Sequence, residues 1–115
     1  MSPARRDNAV DDFRRSAPVF AALGDDTRLG ILARLGAGPR CSIAHLTQGT
    51  RLTRQAITKH LKVLQAAGLV RGVRHGRENL FELEPDALDE ARRALDNISR
   101  QWDVALAKLK KFVEE

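Results

Sequence analysis

Between Thr27 and Arg77 the sequence contains no aspartate and no glutamate. Those 51 residues hold ten Lys/Arg, whereas the other 64 hold ten Lys/Arg and all fifteen acids. The formal charge of +5 therefore conceals a +10 block flanked by segments that sum to −5. A solvated surface ordinarily mixes both signs. Exclusion of carboxylates over such a length points to a polyanionic partner, with phosphates the obvious case. A generally basic surface is the competing reading, and the concentration of these cations on particular faces weighs against it.

Other scarcities narrow the class. One cysteine, Cys41, excludes an intrachain disulfide and suits a reducing cytoplasm. With four Phe, one Trp and no Tyr, there are too few rings for the aromatic platforms that stack single-stranded bases. No apolar run approaches the roughly 18 residues of a membrane span. The opening residues, Met1 to Asp7, contain no apolar signal core. No Ser/His/Asp arrangement, paired-carboxylate signature or Gly-rich phosphate loop is present, so an enzyme is not expected. What remains is one soluble globular domain of 115 residues, 43% hydrophobic and 30% charged, large enough for a small core.

The hydrophobic periodicity divides this domain. Residues 1–10 are expected to form a disordered tail, and 11–115 the folded domain. Phe13, Ala17, Phe20 and Ala21 recur at helical spacing over about 11–23, with Pro18 splitting or kinking that helix. Asp25 or Asp26 caps a second segment whose apolar face reads Leu29, Ile31, Leu32 and Leu35, ended by Gly36, Gly38 and Pro39. Ser42 caps a short helix carrying Ile43 and Leu46, and Gly49 marks a turn. Thr53 caps a longer helix with Ile57, Leu61 and Leu64 inward and Gly68 as its stop. A short helix, a Gly-containing turn and a longer polar-faced helix make the outline of a helix-turn-helix.

After Gly68 the period changes. Leu69, Val70 and Val73 precede Arg74-His75-Gly76-Arg77, and Leu80, Phe81 and Leu83 follow. Two short strands around a basic, Gly-containing tip predict a hairpin, placed as a wing. Pro85 then opens a helix of about 29 residues, roughly 43 Å long. Its apolar positions are Leu88, Ala91, Leu95, Ile98, Trp102, Ala105, Leu109 and Phe112, at alternating spacings of three and four. Such a heptad seam is too long to be buried on the rest of so small a domain, and it predicts a partner helix. The fold class is therefore mainly α with a small β-hairpin wing: a winged helix-turn-helix with a long C-terminal dimerisation helix.

The run Leu23-Gly24-Asp25-Asp26-Thr27-Arg28-Leu29-Gly30-Ile31-Leu32 resembles the second-helix signature of the ArsR/SmtB winged-helix repressors. Thr53 to Leu64, continued by Gly68-Leu69-Val70, is similar to their recognition helix, and Gly76-Arg77 through Leu83 resembles their wing. The likeness runs from about Val19 to Leu83. It implies a homodimeric repressor of transcription whose first helix (about 11–23) and last helix (about 85–113) form the interface. The residues expected there are Phe13, Phe20, Leu95, Ile98, Trp102, Leu109 and Phe112. Metal-sensing members place two thiolates one residue apart in the third helix; here Ser42 and Ala44 stand at those positions. Their other metal site uses His and carboxylates on the last helix, which here has no His. Neither metal site carries over, so no metal and no cofactor is expected.

The recognition-helix face reads Arg54, Gln55, Thr58, Lys59 and Lys62, with Thr53 at its start. Arg suits guanine, Gln suits adenine, and Thr or Lys reaches bases or phosphates. Free backbone N–H groups at the helix start suit a phosphate. Arg74, His75 and Arg77 at the wing tip are placed for phosphate or the minor groove, although a basic tip also serves solubility alone. Arg28, Arg51 and Arg71 are backbone-positioning charges or plain surface residues. The expected partners are double-stranded DNA with a two-fold operator and a second copy of the chain, in the cytoplasm and without a membrane; the sequence names no inducer. Two other readings stay open. One is a protein-interaction module acting through the long helix. The other is a metal-responsive repressor with a nonstandard site at Cys41 and His45, which lie four residues apart.

Overall fold

A computed structural model describes residues 4–114. Six helices and one hairpin follow in the order α1 (Ala4–Arg15), α2 (Ala17–Leu23), α3 (Asp26–Ala37), α4 (Ile43–Thr47), α5 (Arg54–Ala66), β1 (Val70–His75), β2 (Glu78–Leu83) and α6 (Pro85–Glu114). The break between α1 and α2 falls at Ser16, with Pro18 in the first turn of α2, where its missing N–H has no helical partner to lose. Contrary to the expected tail over 1–10, the backbone is helical from Ala4; residues 1–3 lie outside the described residues. The apolar pattern begins later than the helix, which is why it misplaced the start.

Three side-chain caps set the starts of the central helices. Asp25 accepts from Arg28 N–H at 3.0 Å, Ser42 from His45 N–H at 3.1 Å, and Thr53 from Ala56 N–H at 3.1 Å. Each satisfies a backbone donor that the helix itself leaves free. Left-handed glycines turn the chain where an L side chain would be strained: Gly49 (φ 78°) between α4 and α5, and Gly76 (φ 63°) at the hairpin tip.

The core collects Ile31 and Leu35 of α3, Leu46 of α4, Ile57, Leu61 and Leu64 of α5, Leu69, Val70 and Phe81 at the hairpin, and Val19, Ala22 and Ala91 from the terminal helices. Leu46, Ile57, Leu61, Leu64 and Leu69 are essentially sealed from solvent. Each such side chain contributes roughly 1.5–3 kcal/mol. Leu29, expected on the inner face of α3, is 46% exposed. It precedes Ile31 by two residues, which on a helix turns it well away from the face that Ile31 and Leu35 bury.

The hairpin is antiparallel, with Val70 opposite Leu83, Gly72 opposite Phe81 and Arg74 opposite Asn79. Cys41 adds a single bridge on the other edge of β2: its N–H donates to Phe81 O at 3.1 Å and Phe81 N–H donates back to Cys41 O at 2.8 Å. Cys41 is buried, and its thiol lies 3.4 Å from Pro39 O. This bridge fastens the wing to the segment before α4, and so to the helix-turn-helix.

Helix α6 packs its first turns on α1 and α2, burying Ala91 and Ala94. From Ser99 onward every described residue is exposed, including Trp102 at 64% and Phe112 at 78%. The helix stretches the molecule to 65 Å along its longest axis, against 33 and 22 Å across.

Candidate nucleic-acid interface

Of the ten cations in the acid-free block, four are consumed inside the molecule. Arg28 donates from Nε to Ala22 O at 2.8 Å and from Nη2 to Ala21 O at 3.3 Å, covering carbonyls in the last turn of α2. Arg34 does the same for α4, donating to Leu46 O at 2.9 Å and His45 O at 3.0 Å. Arg71 donates to Glu82 at 2.8 and 3.1 Å and to Glu84 at 3.3 Å. Arg40 Nε lies 2.6 Å from the other oxygen of Glu82. Hydrogen bonding from Arg71, with the charge of Arg40 behind it, holds the Glu82 carboxyl below the usual glutamate range.

The remaining six, Arg51, Arg54, Lys59, Lys62, Arg74 and Arg77, have no carboxylate partner among the described residues, and all are exposed. Five of them belong to α5 or the wing. Buried Ile57, Leu61 and Leu64 fix the inner side of α5, leaving Arg54, Gln55, Lys59 and Lys62 exposed. Thr58 is half-buried and donates its hydroxyl to Arg54 O at 2.8 Å, so it offers an outside partner only its lone pairs and its methyl group. Thr53 already accepts from Ala56 N–H as the cap of α5.

Helix and wing share their hollows. Arg54 and Arg77 line one depression of about 280 Å³ together with Ser42, Ala44, Glu78 and Asn79. Thr58, Lys62, Gln65, Gly72, Asn79 and Phe81 line a second of about 360 Å³. A Cβ on Gly72 would stand 3.4 Å from the Phe81 ring and 3.6 Å from Gln65 Nε2, in ordinary van der Waals contact, so this face of β1 is turned toward α5. Alternation along β1 puts Arg74 on the same side as Gly72, and His75, opposite Glu78, on the other. The wing residues singled out in the sequence thus divide: Arg77 lines a hollow shared with α5, whereas Arg74 and His75 line neither of the two.

His60, on α5, turns inward. Its Nδ1 lies 3.5 Å from Arg28 Nη1 and 3.9 Å from Asp25 Oδ2, joining the recognition helix to the cap of α3. Cys41 and His45 part company: the first is buried in the wing bridge and the second is exposed on α4. No group of three metal-binding side chains is found among the described residues. Phe13 and Phe20 pack on each other with ring centroids 5.3 Å apart, half-buried, where α1 meets α2. Sequence reasoning missed the capping roles of Arg28 and Arg34, because a side chain that reaches a backbone carbonyl leaves no periodic signal.

No described helix is long and apolar enough to cross a membrane. A helix-turn-helix domain family matches residues 23–73. The chain is 34% identical over 97 residues to the HTH-type transcriptional regulator Rv2034 of Mycobacterium tuberculosis, covering 84% of this chain and 87% of that protein. It is 33% identical over 88 residues to the HTH-type transcriptional repressor SmtB of the same species, covering 76% and 63%. Among solved structures, an ArsR-like transcriptional regulator from Rhodococcus sp. RHA1 matches with a TM-score of 0.82 and 41% identity over 91% of this chain and 95% of that one. The family match takes in the three caps and the recognition helix, the Rhodococcus structure covers nine-tenths of the chain, and the chain belongs to the ArsR/SmtB family of DNA-binding helix-turn-helix transcriptional regulators.

Proposed function

We propose that this regulator is a cytoplasmic homodimeric repressor that reads a two-fold operator, with α5 in the major groove and the wing on the flanking backbone. The observation that carries the reading is the division of the acid-free block. Cations that hold the fold are tied to carbonyls or to Glu82. Those on α5 and the wing stand exposed, and Arg54, Lys62 and Arg77 among them line two shared hollows. Arg54 and Gln55 supply base contacts. Lys59, Lys62, Arg74 and Arg77 supply phosphate contacts, with Thr53, Thr58 and His75 at the edges. Repression accords with the role that the similar SmtB carries in its name.

The dimer is formed by the seam of α6 at exposed Leu95, Trp102, Leu109 and Phe112 and half-buried Ile98, with Phe13 and Phe20 supporting it from the α1–α2 junction. Two copies place two recognition helices on one face of the duplex, a whole number of turns apart. Ser42 and Ala44 replace the thiolate pair of metal-sensing relatives, so release from DNA does not use that metal site. The test is binding of the purified protein to fragments of its own genome. Enrichment of one inverted repeat is the expected result. Uniform binding to all fragments at equal salt would remove the operator from this reading.

A further inference from the structure

We propose that Glu78 is a positioning residue for DNA reading: from the wing, its carboxylate holds the Arg54 guanidinium toward a base and away from the DNA backbone. This role rests on the reading of Arg54 as a base contact and adds the group that steers it.

Between Thr27 and Pro85 the chain has three acids, Glu78, Glu82 and Glu84. Two are committed to the fold. Glu82 is held by Arg71 and Arg40, and Glu84 accepts from Arg71 at 3.3 Å. Glu78 is exposed and forms no ion pair among the described residues. It directly follows Arg77 and stands opposite His75 in the last rung of the hairpin. There it lines the hollow of about 280 Å³ that Arg54, Arg77 and Asn79 also line. An uncommitted carboxylate on a face of unpaired cations opposes phosphate binding. Simple attraction to DNA therefore does not account for it.

Arg54 gives it a task. Arg54 opens α5, where the positive end of the helix dipole disfavours a cation. The first turn of α5 holds no acid of its own. A carboxylate across the hollow offsets both charges. It also restricts where the guanidinium goes. A long arginine side chain on DNA has several phosphates within reach and only one base to read. The guanidinium has five N–H donors, and guanine O6 and N7 take two of them. A carboxylate accepts from the edge that remains and repels any phosphate competing for it. Arg54 is thereby kept for the base. On DNA without the right base, the repulsion stays and the base contact is missing, which widens the gap between operator and other sequences. Because Glu78 belongs to the wing, this steering acts only when the wing is seated beside α5.

The test titrates operator and scrambled DNA over a range of salt with wild type, Glu78→Gln, Arg54→Ala and the double variant. Glu78→Gln keeps the side chain's size at an exposed position and removes its charge. It should bind scrambled DNA more tightly, with a log–log salt slope steeper by about one unit per subunit as Arg54 takes up a phosphate. The operator/scrambled ratio should fall about tenfold, within the range that one bidentate base contact is worth. With Arg54→Ala already present, Glu78→Gln should leave that ratio unchanged, a coupling that a merely structural wing residue would not show. An equal gain on both DNAs, with the ratio intact, would make Glu78 a distant charge and overturn the positioning role. A fall in the ratio that persists without Arg54 would make Glu78 itself the base contact and overturn it as well. Equal wild-type affinity for the two DNAs would remove the operator reading and this inference with it.

Discussion

Arg71 and Glu82 are direct partners across the wing, and the guanidinium donates twice to one carboxylate oxygen, at 2.8 and 3.1 Å. The other oxygen meets Arg40, which immediately precedes the Cys41 bridge to Phe81. One carboxylate therefore ties both strands of the wing to the segment that leads into α4. The lowered carboxyl pKa makes the contribution fully present above the ordinary glutamate range and lost as the pH falls through the lowered folded value. Glu82→Gln should melt earlier than wild type at pH 7, and the gap should close as the pH drops below about 4. A gap that stays constant from pH 7 to pH 3 would show that the charge does not matter.

Arg28 lies in the acid-free block, yet it faces the end of α2. Arg28→Ala should cost about 1–3 kcal/mol of unfolding free energy, as loss of hydrogen bonds from a charged donor does. Urea denaturation measures this. The salt dependence of DNA binding should keep its slope. Unchanged stability together with a shallower slope would move Arg28 from the fold to the phosphate backbone.

Trp102 is 64% exposed in the single chain, so its removal should leave the fold intact and act on assembly. An aromatic buried by a partner is worth on the order of 3–5 kcal/mol. Trp102→Ala is expected to shift sedimentation toward monomer at low micromolar concentration and to weaken DNA binding through the weakened dimer. An unchanged dimer would place the interface elsewhere.

Stoichiometric zinc or arsenite should leave DNA affinity within tenfold of the metal-free value, since Ser42 Oγ caps α4 and Ala44 has no donor atom. A larger loss, abolished by Cys41→Ser, would revive a nonstandard site built on Cys41 and His45.

Much of the fold was legible because each boundary has a local chemical cause. Asp25, Ser42 and Thr53 cap where caps were expected, Pro18 splits the first helix, and Gly76 turns the hairpin. Three features were not legible. The bridge from Cys41 to Phe81 joins residues far apart in sequence, and a single rung has no period. Leu29 reads as core by composition and stands in solvent by helical angle. Charge counting gave the basic block as one unit, whereas Arg28, Arg34, Arg40 and Arg71 serve the fold and only the rest stand open to a partner.

Arg54 and Arg77 line the same hollow from different elements, and we assign them different tasks. In the function proposed above, Arg54 reads a base from the first turn of α5, whereas Arg77 meets phosphate from the wing. Operator and scrambled DNA should therefore be titrated with wild type, Arg54→Ala and Arg77→Ala over a range of salt. Wild type should prefer the operator, with a log–log salt slope of roughly −5 to −7 for six to eight phosphates. Arg54→Ala should lose about 1–3 kcal/mol on operator and little on scrambled DNA. Arg77→Ala should weaken both alike and make the slope shallower by about one unit for each phosphate no longer neutralised. Equal wild-type affinity for the two DNAs, or a flat salt dependence, would contradict the claim that this face reads sequence.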